Sequence, residues 1–272
     1  MAALAAPNVH QLLDRLDAAT LARLGQAGVL QGTSALAPPE AILSLDWPEL
    51  ERVLPDRGLP RGVIELASCV GLRAGGAGVS RARDKAGTRH GGASGASGAT
   101  TIALSAVRAV HSADERGWCA WITESNAPAL YAPAVAQAGV DLERLLVVRP
   151  EPADLARTVV KVAASGAFDL VVVDAPAGLD GKLSLPSAAD SSASRGRVGR
   201  VDGSVVIRKL ALAAEEKGTT FLVLTSIDTA RAVPWPVALR VEVERRPEAI
   251  AVRVTKDRRG RASSQHVVRV AC

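Results

Sequence analysis

Apolar residues at near-helical spacing open the chain. Val9, Leu12, Leu13, Leu16, Leu21 and Leu24 share one stripe and Gly25 and Gly28 end it, which predicts an amphipathic helix over 9–25. QGTSALAPPE, with its Gly, Ser and paired prolines, reads as a linker, so residues 1–40 form an N-terminal helix and linker and 41–272 the main domain. From Leu59 the pattern changes. RGVIELAS, GWCAWIT, RLLVVRP, FDLVVVDAP and TTFLVLTS read as short apolar strands, separated by the helices TTIALSAVRAV, APAVAQAG, EPADLARTVVKVAASG and SVVIRKLALAAEEKG. Apolar strands alternating with helices predict a mostly parallel sheet buried on both faces. After Trp235 the runs VALRVEVERR, EAIAVRVTKD and HVVRVAC alternate apolar and polar positions between charged turns, as antiparallel edge strands do. The expected fold class is therefore α/β: a mostly parallel sheet flanked by helices, with antiparallel C-terminal edge strands and an N-terminal helix.

Two stretches stand outside this pattern. Residues 70–97 are rich in Gly, Ala, Ser and basic residues, and 178–203 have the same character, so both are expected to be mobile insertions with little apolar surface to offset ordering. The second follows a strand ending in Asp174, where α/β proteins place working loops.

Composition narrows the class. Hydrophobic residues are 48% and aromatics 3%, which excludes a disordered chain and demands an interior of Ala, Val and Leu. No apolar run approaches the roughly 20 residues that span a bilayer. MAALAAPNVHQLLDRLD resembles neither a secretory signal nor a transit peptide, so a cytoplasmic, nucleoid-associated protein is expected. Cys69, Cys119 and Cys272 are scattered without CxxC spacing, which predicts neither a disulfide framework nor a metal site. A net charge of +5 is compatible with a polyanion but does not require one.

The candidate chemistry lies before the first long helix, where a strand, a glycine-rich turn and a helix opening on Thr-Thr have the layout of a phosphate-binding loop. The pattern GxxxxGK[ST] needs Gly at 93 and Lys at 99. Ala93 and Ala99 stand there, while Gly98, Thr100 and Thr101 remain. Two readings fit: a residual anion cradle, or a helix start whose glycines only allow a tight turn. Ala99 leaves no amine for the β- and γ-phosphates, so efficient hydrolysis is not expected. Asp174 stands where a magnesium-orienting acid ends its strand, or else caps a strand-end loop. Glu124 follows AWIT, where a water-activating carboxylate can lie, yet TESNAP offers it no His or second acid, which equally fits a solvated loop residue.

Taken in order, LDWPELERVLPDRGLPRGVIEL, the turn before TTIALSAVRA, CAWITE, ASGAFDLVVVDAP and VIRKLALAAEEKGTTFLVLTS resemble the RecA recombinase core from about residue 43 to residue 256. WITESNAPALYAPAVAQAGVDLERLLVVRP is more similar to the ImuA family, itself related to the SulA division inhibitors. That resemblance implies a non-recombinase accessory protein of the bacterial DNA-damage (SOS) response, acting with RecA, or with ImuB and an error-prone C-family polymerase, in mutagenic translesion synthesis. It implies no enzymatic activity and no cofactor, although the retained Asp174 keeps ATP with magnesium open. Gly98, Thr100, Thr101, Asp174 and, near the catalytic glutamate, Glu124 correspond to the RecA nucleotide site. Lys256 and Arg258 in VRVTKDRRG resemble the basic pair that RecA extends to a neighbouring subunit's nucleotide, or form an ordinary charged turn. The 178–203 segment takes the place of the first RecA DNA-binding loop, with Lys182, Arg195, Arg197 and Arg200 as contacts to single-stranded DNA. Asp180, Asp190 and Asp202 offset them and no aromatic offers stacking. Trp235 is the stacking candidate of the second loop, or a core residue. Leu12, Leu13 and Leu16 dock either a partner or their own core. The alternatives are a DNA-dependent ATPase of the recombinase type, which Ala99 opposes, and a SulA-like division inhibitor, for which the chain is long.

Overall fold

The computed structural model describes residues 42–68, 98–176, 178–179, 181–183, 199–228 and 235–270, with backbone alone at 181–183 and 199–201. All belong to one compact unit, Pro38–Cys272. The helix expected over 9–25 with Leu12, Leu13 and Leu16, the insertion at 70–97, and Arg195 and Arg197 lie outside the described residues.

The centre is an eight-stranded sheet in the order β12-β11-β10-β3-β9-β6-β4-β5. Its parallel strands are β3 (Val63–Ser68), β4 (Cys119–Thr123), β5 (Leu145–Val148), β6 (Leu170–Asp174), β9 (Thr220–Ser226) and β10 (Leu239–Arg246). The hairpin partner β11 (Ala249–Asp257) and then β12 (His266–Arg269) extend it antiparallel. A parallel sheet needs crossovers that cover both faces. Helix α2 (Gly98–Ala113) covers one face, where Ile102, Ala106 and Val110 pack on Ile64, Leu66, Trp121, Leu222 and Val243. Helices α4 (Leu155–Ser165) and α5 (Gly203–Lys217) cover the other with Leu155, Val159, Ile207 and Leu210 on Val171, Val173, Phe221 and Val223. Smaller elements complete the unit: a ribbon of β1 (Ile42–Leu43) and β2 (Leu59–Pro60), the turn of helix α1 (Pro48–Glu51), and the short α3 (Ala132–Gln137) before β5. Among the described residues no helix is long and apolar enough to cross a membrane.

Two local readings change. LLVV in β5 has the apolar pattern of a strand buried on both faces, yet it lies at the sheet edge with Leu146 and Val147 exposed, because sequence pattern does not encode which strand is outermost. The 178–203 segment, expected to be a mobile insertion, contributes a two-stranded antiparallel ribbon of β7 (Gly181–Leu183) and β8 (Gly199–Val201) in which Lys182 pairs with Arg200.

Candidate functional site

Sites in open α/β sheets form at the carboxyl ends of the parallel strands. At that end the first turn of α2 meets β10 and β11. A Cβ on Gly98 would stand 2.6 Å from Val243 Cγ1 and 3.1 Å from Ile250 Cγ2, so the glycine is required by the close approach of the helix to the sheet. Ala99 is 0% exposed and belongs to the apolar core beneath α2. Thr100 and Thr101 are half-buried, and Thr101 Oγ1 accepts a 3.3 Å hydrogen bond from Arg245 Nη1 at the end of β10. Gly98, Ala99, Thr100 and Thr101 therefore open a helix seated on the sheet, and among the described residues Arg245 of β10 brings a positive charge to its first turn.

Asp174 ends β6 opposite Thr123 of β4, and strand alternation puts it on the α2 face with Leu170 and Val172. Burial and, next, the charge of Glu124 push its carboxyl up to about 6. The Thr123 hydroxyl beside it is buried without a hydrogen-bond partner. Glu124 thus has in Asp174 an acidic neighbour that TESNAP itself does not offer, because β4 and β6 are neighbours in space. Arg149, directly after β5, holds that loop: its Nη2 donates to the carbonyls of Ser125 at 2.7 Å and Ala127 at 2.6 Å, while Ser125 N–H donates to Pro150 O at 2.8 Å. Sequence reasoning missed Arg149, whose only signal is the Arg-Pro that ends the strand.

The remaining candidates lie elsewhere. Leu239 pairs with both Asp257 and Ile64, so Lys256 and Arg258 sit at the amino end of the parallel strands, opposite Asp174. Lys256 Nζ donates to Trp235 O at 2.6 Å, and Arg258 is 72% exposed, 3.9 Å from Glu215. Trp235 is 4% exposed among Val237 and Phe221, a core residue and not a stacking platform. Cys119 is buried, and burial first, then Asp169, pushes its thiol up to about 12, so it is inert at neutral pH.

Comparison with solved structures places this topology. The crystal structure of the RadB recombinase superposes with a TM-score of 0.53 at 14% identity, covering 85% of this chain and 96% of that one. The chain has a RecA-like fold. Residues 81–195, less than half of the chain, match the family described as the MT3502 N-terminal domain. No curated protein matches.

Proposed function

We propose that the chain is a catalytically silent RecA-like accessory protein of the bacterial DNA-damage response, supporting mutagenic translesion synthesis by docking on RecA, on ImuB, or on both. The observation that carries the silent reading is Ala99, which sits in the core where the RecA pattern needs an ammonium on the phosphates. The residues present are a poor fit for ATP with magnesium: Ala99 offers the phosphates no ammonium, and Asp174, its carboxyl raised to about 6 and mainly ionised at neutral pH, has the like charge of Glu124 beside it.

The docking reading is supported by the β5 edge. Leu142, Leu146 and Val147 are each between 41 and 45% exposed there. Exposed edge strands are ordinarily guarded by charges. Here the flanking arginines turn inward, Arg144 onto Asp141 and the end of α2, Arg149 onto the Glu124 loop. The ImuA-like segment WITESNAPALYAPAVAQAGVDLERLLVVRP builds this edge. At the other edge of the sheet, Glu49 accepts from Arg269 N–H of β12 at 3.1 Å, and Val267 is 58% exposed.

The test is binding of the purified full-length protein to RecA, to ImuB and to the division tubulin separately, with ATP hydrolysis followed alongside. Binding to RecA or ImuB, lost in Leu146→Lys/Val147→Lys, is expected. Binding to the division tubulin alone, or hydrolysis abolished by Asp174→Ala, would overturn the reading.

A further inference from the structure

His111, in the last turn of α2, is a buried titratable group with no place in the site described above. It is 6% exposed, its Nδ1 accepts the Asp141 N–H at 3.3 Å, and so its proton resides on Nε2, which is buried without a partner. Arg144 closes the same corner. Its Nη2 donates to His111 O at 3.1 Å, its Nη1 to Asp114 O at 2.8 Å, and its Nε to Asp141 Oδ2 at 2.7 Å. Asp141 Oδ1 in turn accepts from Glu143 N–H at 2.9 Å, starting the short turn Leu142–Arg144 that runs directly into β5. The charged groups that act on the ring are Arg144 and Asp141, both on the turn; close by, the Arg108 stem on α2 lies against Gly139, Asp114 directly follows α2, and Cys119 at the start of β4 feels both Arg144 and Asp169.

We propose that His111, Asp141 and Arg144 form an acid-sensitive latch that holds the corner leading into the β5 edge while His111 is neutral and releases it when His111 takes up a proton. A proton on Nδ1 would set two donors against each other at the Asp141 N–H. It would also bury a cation beside the Arg144 guanidinium, while the Asp141 carboxylate that might offset it is already engaged by Arg144. Burial first, then the Arg144 charge, accordingly hold the imidazole below its ordinary value of 6.5. The released corner binds the proton more tightly than the closed one. The latch is therefore fully engaged above that ordinary value, and it weakens as the pH falls toward the lowered one. Each pH unit within that window multiplies the open population by up to about ten. Its use as regulation rests on β5 being the docking edge; the latch itself does not.

Amide exchange on the free full-length protein, corrected for intrinsic rates, tests it. Protection at 139–148 should fall by up to about tenfold per pH unit as the pH drops from 6.5 toward the lowered value, and level off below it, while α5 and β9 keep theirs. In His111→Gln, whose side-chain carbonyl can accept from Asp141 N–H without titrating, that dependence should vanish. A pH-independent corner in the wild type, or a dependence that survives in His111→Gln, overturns the latch. Should the variant fail to fold, ring-nitrogen shifts of the wild type decide: a His111 titration at or above 6.5 overturns it, and one below supports it. Because no partner is present, these outcomes are independent of whether the β5 edge docks anything.

Discussion

Asp56 and Asp174 are both largely buried carboxylates, and their surroundings are opposite. Arg261 grips Asp56 with two 2.8 Å contacts, Arg259 adds a third at 3.3 Å, and Arg261 Nε reaches on to Asp257 at 2.7 Å, tying the segment before β2 to the turn after β11. Asp174 has a second acid as its electrostatic neighbour and a carboxyl pushed up to about 6. Among the described residues, charge is neutralised where the periphery has to be clamped, whereas at the carboxyl end of the sheet the charge acting on Asp174 is that of another acid. That contrast separates a carboxylate that clamps the structure from one that the sheet buries beside a like charge.

The largest expected effect breaks the compensated side. Asp56→Ala leaves two arginines facing a vacancy, and a loss of about 3–5 kcal/mol is expected in chemical denaturation. An unchanged midpoint would mean that the clamp contributes nothing. Ala99→Lys asks whether the uncompensated end can take a cation. Because that Cβ points into the core, the substitution should cost about 3 kcal/mol and yield no ATP hydrolysis; a stable, hydrolysing variant would show that the position opens onto the phosphate side.

Asp174→Asn probes the same end from the acid. The folded value, about 6, lies above the ordinary 3.8, so the folded chain holds its proton longer than the unfolded one. The stabilisation from that proton is complete below 3.8 and is lost as the pH rises through about 6. At neutral pH the ionised carboxylate is a cost, and Asn should raise stability by about 2 kcal/mol and flatten the dependence between those values. Lower stability in Asp174→Asn would reveal an unseen partner for the acid. The smallest effect concerns the β5 edge, where Leu146→Lys with Val147→Lys should move the free energy of unfolding by less than about 0.5 kcal/mol per position. A large drop in Tm would show that the edge belongs to the core and is not a surface.

Much of this architecture is written locally. The runs VIELAS, CAWIT, LVVVD and TFLVLTS become β3, β4, β6 and β9, and the alternation in LRVEVERR and AIAVRVTKD becomes the β10–β11 hairpin, because period and apolar content are properties of consecutive residues. Ala99 was equally legible as the residue standing where the spacing GxxxxGK[ST] has its lysine. Pairings between distant residues were not legible. Nothing near Glu124 announces Asp174, nothing near Asp56 announces Arg261, and Arg149 reads as a surface arginine until β5 carries it beneath the Glu124 loop.

The sequence by itself determined the long strands and helices of the main sheet, and that Ala99 stands where the pattern GxxxxGK[ST] has its lysine. Strand order was left to the tertiary structure. It placed LLVV at an open edge, brought two acids together at the ends of β4 and β6, and enclosed His111 against Asp141 and Arg144. The reason is physical: periodicity depends on neighbours in the chain, whereas burial and the electrostatic environment of a charge depend on which distant segments the sheet lays alongside it.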